Sequence, residues 1–199
     1  SILERRLAEQ YLNESVMEDF QRRMVNEKGF CSHHTRMLYA RQNKLSLALQ
    51  HITRITALKG RLEITEDPKR AKEMGEFFAH SGETCVICDN VEVNMIRYYK
   101  TVAEMFYAEK KFKDTLLGTN GFCLGHFGQL LRYASYARGK KKDYIYTLTK
   151  LEKENLEKLL TGLNRFAAKH DYRNADMPWE GADTALPRSI VKLHGEETK

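Results

Sequence analysis

A chain of 199 residues, 42% apolar and 30% charged, can build one core or two small halves sharing one. Three prolines and twelve glycines are too few for a disordered chain or a turn-rich all-β fold. The net charge of +6 fits an acidic partner. No run approaches the ~18 apolar residues of a membrane span, and the amino end SILERRLAEQ is not a signal peptide, so no membrane is expected and the expected setting is cytoplasmic.

In chain order, Ser1 is placed to cap a helix with Leu3, Leu7, Tyr11 and Leu12 on one face. A short run with Met17, Phe20, Met24 and Val25 ends at Gly29. A longer helical pattern follows, with Leu45, Leu49, Ile52, Ile55 and Leu62 in 3–4 spacing, until Asp67-Pro68 breaks it. A helix through Phe77 and Phe78 leads to the Ser81-Gly82 turn. Helical spacing then runs from Asn90 to about Leu117, ending at Gly118 and Asn120-Gly121. Another helix opens at CLGHFGQLL, and the longest, Asp143 to Lys169, carries Leu148, Leu151, Leu156, Leu159, Leu160, Leu163 and Phe166. A final helix is expected from about Thr184, capped by Asp183, with Ile190, Val191 and Leu193 on its apolar side. No segment alternates at strand length. The fold class is all-α, a pseudo-duplicated helical bundle.

One phrase occurs twice: Gly29-Phe30-Cys31-Ser32-His33-His34 and Gly121-Phe122-Cys123-Leu124-Gly125-His126. Upstream of the second copy stands Cys85-Val86-Ile87-Cys88. The organisation expected from this duplication is a first GFCxxH unit (1–66), a second CxxC…GFCxxH unit (67–142), and a long helix with its tail (143–199). All four cysteines lie in these motifs. Paired Cys/His ligands two residues apart suit tetrahedral zinc, so Cys85, Cys88, Cys123 and His126 are expected to share one zinc ion. A shell of four protein ligands leaves no open position, which makes the metal structural. Cys31 and His34 remain as an incomplete second pair. Cys88 and Cys123 are 35 positions apart, and the same distance back from Cys31 lands just before Ser1. A CxxC is therefore expected there, in a longer form of the protein, to complete the first site.

Other readings of the cysteines are a redox dithiol at Cys85 and Cys88, without the βαβ pattern that usually hosts one, an iron–sulfur cluster, and small buried hydrophobes. Basic clusters at Lys110–Lys113 and Arg138–Lys142 would attract nucleic acid, or serve as solubilising surface. No phosphate-cradling loop, GxSxG or HExxH is present, and no catalytic residue is assigned. In the tail, Trp179 is placed to pin an extended segment onto the bundle.

With these motifs and the tail KHDYRNADMPWEGADTALPRSIVKLHG on view, the sequence resembles an uncharacterised bacterial family, domain of unknown function 6062. Its members look like tandem CxxC…GFCxxH units followed by such a tail. The resemblance rests on Cys31, His34, Cys85, Cys88, Cys123 and His126 with Asp171, Tyr172, Arg173 and Pro178, and this chain departs from it in lacking the first CxxC. It implies the fold and the metal ligands, and no activity. The leading functional expectation is a cytoplasmic interaction or adaptor module stabilised by zinc, with Asp171, Tyr172, Arg173 and Trp179 as candidate contacts for a protein partner. A redox- or metal-responsive protein and a nucleic-acid-binding zinc domain are the alternatives.

Overall fold

A computed structural model describes residues 2–13, 17–174 and 176–195; Ser1, the expected first cap, lies outside them. The described residues form ten α-helices and no strand, and no helix is long and apolar enough to cross a membrane. The chain divides into two compact units, Ser1–Met95 and Ile96–Lys199.

The first unit holds α1 (Ile2–Asn13), α2 (Asp19–Lys28), α3 (Ser32–Tyr39), α4 (Lys44–Lys59), α5 (Pro68–His80) and the amino end of α6 (Val86–Ala108). The apolar stripe of α1, Leu7, Ala8, Tyr11 and Leu12, enters a core with Val25, Leu38, Leu47, Cys85, Val86 and Ile87. Helix α5 starts where the sequence says it must. Asp67 accepts the Lys69 amide at 2.9 Å, and Pro68 occupies a first-turn position whose missing N–H costs nothing.

Helix α4 departs from its sequence pattern. Its 3–4 stripe faces out: Leu45 is 71% exposed, Ile52 59% and Ile55 61%. The buried side is Ser46, Leu47 and Gln50. Polar groups decide this orientation. The Asn43 side chain accepts the Ser46 amide and donates to Leu12 O at 2.9 Å, while the Gln50 amide donates to Tyr11 O. These bonds tie α4 to α1 by its polar side.

The second unit holds the rest of α6, α7 (Phe112–Leu117), α8 (Leu124–Arg132), a 3₁₀ segment (Ala134–Lys140), α9 (Lys141–Lys169) and α10 (Ala185–His194). The helical run expected from Asn90 to Leu117 is interrupted at 109–111, where Glu109, Lys110 and Lys111 offer no apolar side chain to bury. In the core of the second unit the fully buried Tyr144 ring meets Phe106 edge-on at 5.1 Å, and Ala103, Leu130, Leu148 and Leu151 are buried as well. The buried face of α9 runs through Tyr144, Leu148, Leu151, Asn155 and Leu159, and leaves the expected stripe members Leu156 and Leu160 exposed. Thr184, not Asp183, occupies the cap position of α10, and no side-chain bond closes that cap. Of the expected apolar side of α10, Val191 and Leu193 are exposed and Ile190 is half-buried, whereas Ala185, Ser189 and Lys192 are buried.

Candidate metal centre

The first GFCxxH turn begins with Gly29 at φ 68°, ψ −158°, a backbone conformation essentially reserved for glycine. Its geometry turns the Gly29 carbonyl toward the CxxC segment, where it accepts the Val86 amide at 3.1 Å. Three more links join the two segments. Thr84 Oγ1 donates to Lys28 O at 2.6 Å, Lys28 pairs with Asp89, and Arg54 donates to Asn26 O, Glu27 O and Ser81 O. Arg54 thereby satisfies carbonyls left over at the end of α2 and in the turn after α5.

This stitching brings both ligand pairs to helix amino ends. Cys31 is the cap residue of α3 and His34 lies in its first turn; Cys85 directly precedes α6 and Cys88 lies in its first turn. Exposed amides and the helix dipole favour thiolate at such positions. The Nδ1 atom of His34 lies 3.3, 3.4 and 3.4 Å from the sulfurs of Cys31, Cys85 and Cys88. The Cys31 and Cys88 sulfurs are 3.8 Å apart. All four ligand atoms fall within 4.8 Å of one another, and the cluster can hold a metal ion. Cys85 and His34 are each 2% exposed, and Cys88 is the most exposed residue of the four although its sulfur is partly covered.

On the other side of the His34 ring, Nε2 faces Glu4 Oε1 of α1 at 3.7 Å. Glu4, His33 and His34 form a second, overlapping group. At this distance Nε2 makes no hydrogen bond, but a carboxylate on that side favours the tautomer with its proton on Nε2, which leaves Nδ1 free to ligate. Burial, followed by the neighbouring His33, lowers the basicity of His34 and keeps it neutral, against an opposing pull from Glu4. Burial raises Cys31, yet the His34 amide and the thiols of Cys88 and Cys85 bring it below its usual value. Cys88 is pushed up to about 12 by burial and then by Cys85 and Cys31. Three thiols so close cannot all ionise unless a cation shares their charge.

The sequence assignment placed Cys85 and Cys88 with Cys123 and His126, and the structure groups them differently. Cys85 and Cys88 meet Cys31 and His34, the pair expected to be incomplete, and neither group of metal-ligating side chains found among the described residues contains Cys123 or His126. Both of those lie in the second unit. Spacing shows which residues form pairs, but not which turn a pair meets; here the Gly29 carbonyl and the Lys28–Asp89 pair join the CxxC segment to the first turn.

The second GFCxxH copy has the same turn: Gly121 has φ 69°, and Cys123 (φ −66°, ψ 154°) caps α8 as Cys31 (φ −68°, ψ 166°) caps α3. Its partner is a buried ion pair. Glu152 Oε2 accepts the Phe122 amide at 3.1 Å, and Lys192 Nζ binds Glu152 Oε1 at 2.8 Å and Phe122 O at 2.7 Å. A Cβ on residue 121 would stand 2.6 Å from Glu152 Oε2, so this close approach requires glycine. Cys123 lies against Gly195 at the end of α10, and the exposed His126 ring is 6.1 Å from Tyr99.

The candidate partner residues of the tail sit beyond α9. Asp171 and Arg173 pair with each other at 2.6 Å, Tyr172 is exposed, and Trp179 packs on Phe166 at 5.8 Å while Arg165 donates to Pro178 O. The tail is thus held to α9. Sequence reasoning did not find Glu4, Arg54, Glu152 or Lys192; among abundant surface charges, nothing in the sequence marks them as buried or bonded.

Over 164 residues the chain is 24% identical to an uncharacterized 23.9 kDa protein in xynA 3'region from Caldicellulosiruptor sp. (strain Rt8B.4), a stretch covering 82% of this chain and 75% of that relative. No solved structure matches the chain significantly. The Family of unknown function (DUF6062) matches residues 1–199, as the repeat and tail led one to expect, and the chain belongs to that family.

Proposed function

We propose that Cys31, His34, Cys85 and Cys88 hold a structural zinc ion, and that the zinc-ordered first unit serves as a protein-interaction module rather than an enzyme. The observation that carries this reading is the spacing of the four ligand atoms. Zn–S bonds of about 2.3 Å and a Zn–N bond of about 2.0–2.1 Å at tetrahedral angles put ligand atoms roughly 3.5–3.8 Å apart. The three Nδ1–sulfur separations here are 3.3 to 3.4 Å and the Cys31–Cys88 sulfur separation is 3.8 Å, with all four atoms within 4.8 Å of one another. Three thiolates and one imidazole fill the tetrahedron, so no position remains for water or substrate, which supports a structural role. The ion would supply the positive charge that lets all three thiols ionise, and would cross-link α3 to α6. Such a site needs reduced thiols, which favours a cytoplasmic setting.

Metal analysis of the purified chain tests this directly. One zinc per chain is expected, released by a chelator with loss of order in the first unit, because metal-binding free energy is folding free energy. Protein that carries no metal and keeps its melting curve in chelator contradicts the reading.

A further inference from the structure

The longest carboxylate-free stretch of the chain builds one face of the first unit. From Lys28 to Leu62 there is no Asp or Glu, although the chain holds 27 of them. Helices α3 and α4 lie wholly inside it. Between them runs a groove of about 400 Å³ whose lining includes Arg36, Tyr39, Lys44, Leu47, Ala48 and His51. Every charged or titratable side chain but tyrosine in that lining is basic. Arg36 and Lys44 have no carboxylate partner among the described residues, and Lys44 instead lies over the Tyr39 ring at 4.2 Å.

The groove continues into the outward stripe of α4. At 100° per residue, Leu45, Ala48, Leu49, Ile52 and Ile55 fall within an arc of about 120° on the solvent side. An aliphatic face of this extent, bordered by cations, is what a partner helix covers.

We propose that this face docks an acidic amphipathic helix of a partner protein. Aliphatic side chains of that helix enter the α3–α4 groove and lie along Leu45, Ile52 and Ile55, and its carboxylates meet Arg36, Lys44 and His51. Helix α4 has 16 residues, about 24 Å of track, enough for roughly four turns of partner. A nucleic acid matches the cations and leaves the aliphatic stripe unused. A bilayer surface matches the stripe and leaves the concave groove unfilled. The inference extends the interaction reading above, since α3, whose amino end carries Cys31 and His34, forms one wall of the groove.

The test is selection of displayed random 16-residue peptides on the full chain as purified. Expected winners are rich in Glu and Asp, with Leu, Ile, Phe or Met at i, i+3 or i+4, and i+7. A synthetic winner should gain helix on binding and weaken as salt rises. Its affinity should fall at least tenfold with Arg36→Glu plus Lys44→Glu, and at least tenfold with Leu45→Ser plus Ile52→Ser. All four side chains are exposed or lie outside the core, so the variants should fold. Winners without an acidic amphipathic pattern, affinities indifferent to these changes, or displacement by phosphatidylserine vesicles or duplex DNA would overturn the proposal. Zinc content is measured on the same samples. Metal-free protein that still selects such peptides would overturn the zinc reading alone; zinc-loaded protein that selects none would overturn the groove alone.

Discussion

The two copies of GFCxxH share a backbone and differ in what grips them. Around Gly29 the grip is the CxxC segment, through a main-chain hydrogen bond, an ion pair and a cluster of sulfurs. Around Gly121 the grip is Glu152 and Lys192, a buried pair that binds the Phe122 amide and carbonyl. The comparison separates two properties of one motif. The turn, with glycine at positive φ and cysteine capping the next helix, is encoded locally and recurs in both units. Ligand assembly depends on which distant segment docks on the turn, and only the first copy receives two more cysteines.

The largest test of this contrast removes a ligand. Cys31→Ser should abolish zinc binding and leave residues 2–95 poorly protected in hydrogen exchange. Structural zinc contributes about 10 kcal/mol or more in small metal domains, comparable to the whole stability of a domain, about 5–15 kcal/mol. Protection across 96–195 should persist; uniform loss over both units would erase the distinction.

Lys192→Met attacks the other grip. Glu152 is 2% exposed, and a buried carboxylate stripped of its partner costs about 3–5 kcal/mol, readable in denaturant melts. Zinc content should not change, and if it falls with stability the two turns are not independently held. Gly121→Ala sharpens the same point, since positive φ and the contact with Glu152 predict a loss of about 1–3 kcal/mol with full zinc. An unchanged midpoint would show that the turn tolerates a side chain. Smallest is Glu4→Gln, which removes the negative charge beside the His34 ring and should lower zinc affinity by about 10- to 100-fold in a competition titration with a chromophoric chelator, while one zinc still binds at saturation.

Much of the fold was legible because local chemistry decides it. Asp67-Pro68 starts α5, the 3–4 spacing of α1 marks its buried face, and the repeated glycines mark the turns. The identities of Cys85, Cys88, Cys31 and His34 as ligand-type residues were equally plain. Their partnership was not, since it depends on hydrogen bonds between residues more than fifty positions apart, such as Thr84 to Lys28. Spacing read as a duplication assigned the CxxC to the GFCxxH that follows it; the fold assigns it to the one before. The stripe of α4 misled for a related reason. Periodicity reports an apolar face, and bonds from Asn43 and Gln50 to α1 determine that this face points outward.

On the proposed reading, the metal belongs to the first turn and not the second. Zinc per chain, measured on the parent protein, on Cys31→Ser and on the double variant Cys123→Ser/His126→Ala, tests it most directly. The account predicts about one zinc in the parent, none with Cys31→Ser, and about one in the double variant. Zinc that survives Cys31→Ser and disappears from the double variant would contradict it.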